Sequence, residues 1–141
     1  MVIDASVAAK WFLPSADENL THEAADFLKR YSSGEIGFVV PDLFWAELAN
    51  IFWKAIRQRR WSRSDGVAAI AAMRERKFPT VAAKTLLEDA FEIATAFDRS
   101  VYDSLYVALA IASKTHFVTA DEKLANALAA RLPVKWLGSL S

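Results

Sequence analysis

The chain has 141 residues, of which 54% are hydrophobic and 24% are charged, and its 17 basic and 17 acidic residues cancel to a formal net charge of zero. This length suits one domain with an ordinary core, and the balanced charge does not give the strongly basic signature typical of nucleic-acid-binding domains. The absence of cysteine excludes disulfides, thiolate catalysis and cysteine-ligated zinc, while only two histidines, His22 and His116, offer imidazole chemistry. We therefore expect a single domain over residues 1–141 and a mostly oxygen-ligated site for any metal.

The first residues predict a short, central strand that ends in an acid. The first three residues are all apolar, and this lack of alternation is typical of a strand that is buried on both faces. Asp4 follows at the carboxyl end of this strand, where open α/β sheets bind their ligands, so we expect a functional role for it. Ser6 is predicted to cap the following helix, residues 7–12, or else to support Asp4 through a hydrogen bond.

Residues 17–97 alternate between predicted helices and strands. The patterns favour a helix at residues 17–31, a strand at 37–40, a helix at 43–59 capped by Asp42, a helix from the Ser62–Asp65 capping box to Met73, an edge strand at 78–81 and a helix at 86–97. We expect the last of these helices to bury the apolar side chains of Leu87, Phe91, Ile93, Ala94 and Phe97.

The long helix at residues 43–59 has two features that packing alone does not explain. Glu47 lies at the margin of an apolar face, where an unpaired carboxylate would be costly, so we expect an arginine or a metal ion as its partner. Trp45 and Trp53 add more apolar surface than one core can cover, which predicts a protein interface on this helix.

The stretch at residues 101–125 joins an acid-headed helix to a strand and a second acid. The helix that begins near Asp103 is apolar on every side, which predicts that it is buried. A strand at residues 116–118, then Asp121, a helix at 123–130 and a last strand at 134–137 complete the chain. The alternation of strands and helices predicts a three-layer α/β/α fold, in which helices flank a mostly parallel central sheet of about five short strands.

The longest strictly apolar run, residues 105–112, is too short to span a bilayer, and no basic region or cleavage site precedes the first strand. We expect a cytoplasmic protein without membrane contact.

The acids allow two interpretations. Ser100–Asp103 and Thr119–Glu122 both fit the capping-box pattern, in which a hydroxyl and an acid satisfy the N–H groups of a helix start. Alternatively, the four acids Asp4, Glu47, Asp103 and Asp121 converge in one cleft, where their repulsion requires a cation. Mg²⁺ or Mn²⁺ is the cation that such an all-oxygen site prefers.

Four motifs, VIDASV, PDLFWAELAN, SVYDSLYVALA and FVTAD, cover nearly the whole chain in this order. In this order and spacing they resemble the PIN-domain ribonucleases, and among these the VapC-type toxins of toxin-antitoxin pairs. The resemblance implies a PIN-like fold with Asp4, Glu47, Asp103 and Asp121 as catalytic acids and metal ligands. Three polar side chains, Ser6, Thr119 and Asn50, would support the site. Ser104 stands where alanine is more usual in these toxins.

The function that the resemblance implies is hydrolysis of RNA phosphodiester bonds with Mg²⁺ or Mn²⁺ as cofactor. It also implies a small antitoxin as partner, and the tryptophans of the long helix favour a homodimer. Lys10, Arg99 and Lys123, each near an acid, are candidates for contacts with RNA phosphates.

Two other functions stay open at this point. A catalytically silent PIN-like interaction module would keep the fold without the activity. An aspartyl-phosphate phosphatase would use Asp4 as nucleophile, but such an enzyme favours a second acid two positions later, where this chain has Ser6.

Overall fold

Five short strands, each parallel to its neighbours, form the centre of the protein. The computed structural model describes residues 1–140. Its elements are β1 (Val2–Ile3), α1 (Ala5–Ala9), α2 (Thr21–Ser32), β2 (Val40–Pro41), α3 (Leu43–Arg57), α4 (Arg63–Glu75), β3 (Thr80–Val81), α5 (Leu87–Phe97), α6 (Val101–Ala112), β4 (Phe117–Thr119), α7 (Glu122–Leu128) and β5 (Val134–Trp136).

The strand order creates a reversal between β1 and β4. β1 pairs with β4 and β4 with β5, while β2 pairs with β3, and a bridge between Val2 and Val39 joins the two groups. The combined order is therefore β3-β2-β1-β4-β5. The chain leaves β1 towards β2 but leaves β4 towards β5, so the carboxyl ends of β1 and β4 flank the point at which ligands bind in folds of this kind.

The helices form the two outer layers. α1 packs on α3 and α3 on α4, whereas α5 packs on α6 and α7 packs on β4 and β5. The right-handedness of β–α–β connections places these two groups on opposite faces of the sheet. The predicted α/β class and the mostly parallel sheet of short strands are confirmed.

The core explains why α6 is so apolar. Every residue from Ser104 to Ala110 is buried, as are both residues of β1 and all three of β4. The prediction of a buried helix is confirmed, except that Ile111, near its end, is 48% exposed.

Several local predictions are wrong because tertiary contacts override them. α1 ends at Ala9 rather than at residue 12, and α2 begins at Thr21 rather than at residue 17. Asp42 makes no capping hydrogen bond to α3, because its Oδ1 accepts a hydrogen bond from the N–H of Ala83 at 3.0 Å. The capping box that starts α4, Ser62 with Asp65, is confirmed.

α5 is an outer helix and buries less than its apolar pattern predicts. Leu87 and Phe91, which we expected to face inward, are 45% and 61% exposed. The reason is that α5 packs on α6, and its buried contact residue is the small Ala90. Among residues 1–140, no helix combines the length and the apolar character needed to cross a lipid bilayer.

Candidate active site

Asp4 stands where β1 ends, and two different elements hold its carboxylate. The Thr119 hydroxyl donates to Asp4 Oδ2 at 2.7 Å, and the N–H of Ser6 donates to Oδ1 at 3.4 Å, which makes Asp4 the N-cap of α1. The prediction of Ser6 as cap is therefore wrong, because the helix begins one residue before it. The Ser6 hydroxyl instead accepts a hydrogen bond from the N–H of Ala120 at 3.3 Å, so it ties α1 to the chain beyond β4.

Thr119 connects two of the predicted acids. It is the last residue of β4 and fully buried, and its hydroxyl accepts from the N–H of Asp121 at 3.1 Å while donating to Asp4. Asp121 itself caps α7, with its Oδ1 accepting from the N–H of Leu124 at 3.2 Å. The predicted capping box of Thr119 with Glu122 is wrong, since Thr119 is committed to the strand end and Asp121 takes the capping position.

Asp103 lies in the first turn of α6, where Ser100 is the cap. The Ser100 hydroxyl accepts from the N–H of Asp103 at 3.1 Å, which confirms the hydroxyl half of that capping box. Burial raises the pKa of Asp103, and repulsion from Asp121 raises it further, while the Ser100 side chain and the charge of Arg99 oppose the shift.

Glu47 of α3 has a neutral hydrogen-bond partner where the sequence suggested an arginine, and the alternative expectation of a metal ion stays a prediction. The Tyr106 hydroxyl donates to Glu47 Oε1 at 2.6 Å. Burial raises the pKa of Glu47, the Tyr106 hydrogen bond lowers it, and repulsion from Asp4 and Asp103 raises it again. Burial also raises the pKa of Tyr106, so its hydroxyl keeps its proton and remains a donor.

The four predicted acids thus share one electrostatic environment at the strand-order reversal. Burial is the largest cause that raises the pKa of Asp4, and repulsion from Asp103 raises this pKa further. Repulsion from Asp121 raises the pKa of Asp103, and repulsion from Asp4 and Asp103 raises the pKa of Glu47. Carboxylates that raise one another's pKa in this way are stabilised as anions by a cation of high charge.

The donor chemistry fits Mg²⁺ or Mn²⁺. The cluster offers carboxylate and hydroxyl oxygens, which are the ligands of hard divalent cations. Within residues 1–140, no three His, Cys, Asp or Glu side chains are already arranged as a set of metal ligands. The acids therefore influence one another electrostatically without lying at the mutual distances of a preformed ligand set.

A comparison with known families identifies the family of this chain. The sequence pattern of the PIN domain family matches residues 1–128. This chain belongs to the PIN domain family. The comparison with curated proteins gives no match.

Three solved structures share the PIN fold of this chain. PAE2754 from Pyrobaculum aerophilum has a TM-score of 0.70 at 17% identity, over 98% of this chain and 83% of that one. A toxin-antitoxin complex from Klebsiella pneumoniae gives 0.62 at 13% identity, over 95% and 94%. The sarcin-ricin loop cleaving toxin VapC20 of Mycobacterium tuberculosis gives 0.64 at 19% identity, over 93% and 95%.

The remaining predicted residues of this PIN domain have different surroundings. Lys10 is held by Glu18 Oε1 at 3.2 Å and Asn19 Oδ1 at 3.0 Å, which gives it a structural partner. Asn50 and Lys123 are exposed on α3 and α7. Arg99 precedes α6, and its buried Nε has no hydrogen-bond partner within residues 1–140.

One residue of the site was missed by sequence reasoning. The apolar pattern of α6 predicts burial for Tyr106 and nothing more, and the residue is indeed 1% exposed. Its hydroxyl nevertheless contacts Glu47, a residue 59 positions away in sequence. The available signal was spacing, because Tyr106 follows Asp103 by three positions and so shares its helix face.

Proposed function

We propose that this PIN domain is a divalent-metal-dependent endoribonuclease, and that it is the toxin of a VapC-type toxin-antitoxin pair. The observation that carries the proposal is the convergence of Asp4, Glu47 and Asp103 at the strand-order reversal, where each has a raised pKa and repels at least one other. Asp4 also caps α1, but capping does not explain why three partly or fully buried carboxylates repel one another, and a cation or bound protons would offset this repulsion. Membership of the PIN family supports the assignment.

The proposed chemistry divides between the cation and the chain. When bound, Mg²⁺ or Mn²⁺ supplies Lewis acidity, which activates water and offsets negative charge at phosphorus. Asp4, Asp103, Asp121 and Glu47 would hold the cation, and the Thr119 hydrogen bond fixes the orientation of Asp4. This division requires no histidine base.

RNA binding is proposed for the basic residues beside the acids. Arg99 already acts electrostatically on Asp103, and its side chain is only partly buried, although its Nε is buried. Lys123 is exposed two residues beyond Asp121. Arg99 and Lys123 are proposed to contact RNA phosphates next to the cation. Lys10 is not included among these contacts, because it forms a salt bridge with Glu18.

The test is cleavage of single-stranded RNA by purified protein. Wild type should cleave with Mg²⁺ or Mn²⁺ and not with EDTA, and Asp4→Asn should reduce cleavage at least a hundredfold. Asp26→Asn is the matched control, because Asp26 is an exposed acid on α2 outside the cluster, and it should cleave like wild type. Full activity in EDTA would contradict the metal requirement. Absence of cleavage by wild type across varied RNAs and both metals would favour the silent interaction module.

Two apolar surfaces suit the two proposed protein partners. A groove of about 370 Å³ between α3, α4 and β3 is lined by Trp45, Leu48, Ile70, Met73 and Arg74, among others. The groove has a concave apolar wall, and the positively charged Arg74 side chain lies beside it. This combination suits an antitoxin segment that carries apolar and acidic side chains. Trp45 is half-buried and donates to the Thr80 hydroxyl at 3.1 Å, so it forms part of the groove wall rather than a free anchor.

The second apolar surface lies on α5 and α6 and is proposed for the homodimer. Leu87, Phe91, Tyr102 and Ile111 are 45%, 61%, 67% and 48% exposed there, against 51% for Trp53 on α3. A two-fold interface pairs one patch with itself, and four of the large exposed apolar side chains lie on α5 and α6. Burying it would remove most of the large exposed apolar side chains from water.

Two variants separate the two interfaces. Light scattering should show a dimer for wild type and Ile70→Glu, but a monomer for Phe91→Glu. Co-purification with the antitoxin encoded next to the gene should succeed for Phe91→Glu and fail for Ile70→Glu. A monomeric wild type at about 50 μM, where a modest interface should be populated, would contradict the homodimer.

A further inference from the structure

We propose that Tyr106 is a positioning residue, whose hydroxyl fixes the carboxylate of Glu47 in the orientation that binds the divalent cation. This inference rests on the proposed metal-dependent function. It assigns a role in the site to a residue that would otherwise count only as part of the core.

The tyrosine ring is held rigidly. Tyr106 is 1% exposed, and its ring stacks on Phe117 of β4 with centroids 4.9 Å apart and an angle of 14° between the planes. A ring clamped in this way has one direction for its hydroxyl. That direction ends at Glu47 Oε1, 2.6 Å away.

A purely structural explanation of this contact is weaker than the positioning role. A buried hydroxyl does need an acceptor, but phenylalanine would fill the same space without any such need. The acceptor here is a partly buried carboxylate that Asp4 and Asp103 both repel, which makes it a costly choice for satisfying one hydroxyl.

The neutrality of the donor favours a role in cation binding. An arginine beside Glu47 would cancel the negative charge that attracts the cation, whereas a tyrosine orients the carboxylate and leaves its charge unchanged. Only Oε1 of Glu47 is engaged within residues 1–140, so Oε2 has no protein donor there and can face the cation. α6 thus carries both an acid, Asp103, and the group that orients a second acid from α3.

The experiment removes the hydroxyl and keeps the ring. We would measure the Mn²⁺ dissociation constant of metal-free wild type and Tyr106→Phe from the electron paramagnetic resonance signal of free Mn²⁺. Loss of an orienting partner typically weakens metal binding by about 10 to 100-fold, and we expect at least a tenfold loss.

A matched control is present in the same chain. Tyr31 also stacks on a phenylalanine, Phe38, at 4.7 Å and 9°, and its hydroxyl also has one acceptor, the carbonyl oxygen of Arg76 at 3.4 Å. Tyr31→Phe should bind Mn²⁺ within twofold of wild type, because that hydroxyl contacts no acid of the cluster.

A double-mutant cycle shows whether the effect passes through Glu47. In a Glu47→Gln background, Tyr106→Phe should cause little further loss of Mn²⁺ affinity. Glu47→Asp, which keeps the charge but withdraws the carboxylate from the hydroxyl by one methylene, gives a second measurement with the Tyr106 ring intact and should also lose at least tenfold.

The outcomes separate this inference from the proposed function. Wild-type Mn²⁺ affinity in Tyr106→Phe or in Glu47→Asp, or an undiminished Tyr106→Phe effect in the Glu47→Gln background, would overturn the positioning role alone. Failure of wild type to bind Mn²⁺ or to cleave RNA would instead overturn the proposed function, and the inference with it.

Discussion

The Thr119 hydroxyl offers the sharpest test of how the site is held together. Thr119→Val keeps the shape of the side chain and removes two contacts, the hydrogen bond to Asp4 Oδ2 at 2.7 Å and the one from the N–H of Asp121 at 3.1 Å. The strand itself should tolerate the change, because valine is at least as favourable as threonine in a buried strand.

The magnitude follows from the two contacts. A hydrogen bond to a charged group contributes about 1.5–3 kcal/mol, and an unsatisfied polar group in a buried position costs about 1–3 kcal/mol. Valine recovers part of this by its better burial, so we expect a net loss of about 2–4 kcal/mol in the free energy of unfolding at pH 7.5. For a chain of this size, that corresponds to a decrease in Tm of roughly 6–14 °C.

The loss should depend on pH, and the sign is fixed by Asp4. The Thr119 hydrogen bond lowers a pKa that burial has raised, so removing it raises the pKa of Asp4 further. The variant then holds a proton on Asp4 more tightly than wild type, and its deficit grows as the pH rises through the raised pKa of Asp4 in the folded protein.

Thermal and urea unfolding in EDTA at pH 5 and pH 8 measure this effect. Thr95→Val is the control, because the Thr95 hydroxyl donates only to the backbone oxygen of Glu92 on exposed α5, and its cost should stay within about 0.5 kcal/mol. A Thr119→Val cost below about 1 kcal/mol, or one that is equal at the two pH values, would refute the idea that Thr119 stabilises ionised Asp4.

Three further predictions follow from the same cluster. In EDTA, wild type should be more stable at pH 5 than at pH 8 in urea unfolding, because folding raises the pKa of Asp4, Glu47 and Asp103, so their tighter native protonation is lost as the pH rises. Equal stability would contradict the raised pKa values, of which burial is the largest cause. Asp103→Asn should be at least as stable as wild type in EDTA at pH 7.5. At a hundredfold excess of Mn²⁺ over its dissociation constant, wild type should gain about 2.7 kcal/mol in the free energy of unfolding, and thermal melts of the variant should show a smaller gain. An equal gain would exclude Asp103 as a ligand. Ser104→Ala should be neutral or stabilising by up to about 1 kcal/mol in urea unfolding, because the buried Ser104 hydroxyl has no partner within residues 1–140, and a loss above that value would indicate a bound water.

The sequence predicted the parts of the fold that local patterns determine. The unalternating apolar start indicated a central strand, and the fully apolar helix after Asp103 indicated burial. These two patterns placed Asp4 at the carboxyl end of a central strand and Asp103 at the start of a buried helix. The order of the four motifs then identified the family, which the match over residues 1–128 confirms.

Contacts between distant residues were outside the reach of local patterns. Ser6 and Thr119 fit helix caps in their own segments, but Ser6 bonds to a residue 114 positions away and Thr119 to one 115 positions away. Tyr106 is a comparable case, since an apolar helix gives no indication that one hydroxyl will meet a carboxylate on another helix.

The prediction for α5 failed for a different reason. Helical periodicity identifies an apolar stripe but does not tell whether the sheet, another helix or a partner molecule covers it. Ala90 is buried on α5, which packs on α6, while Leu87 and Phe91 remain exposed in the single chain. The same two side chains form part of the surface that we propose for the homodimer, so their exposure is the basis of that proposal.

The most direct test of the account is diffraction from crystals grown with Mn²⁺, with anomalous data collected to locate the ion. The account predicts an anomalous peak at the carboxyl ends of β1 and β4, within coordination distance of Asp4 and of at least one of Asp103, Asp121 and Glu47, and no such peak in crystals of Asp4→Asn. A Mn²⁺ ion bound elsewhere, or these acids without an ion at a Mn²⁺ concentration that supports RNA cleavage, would contradict the claim that they share one cation site.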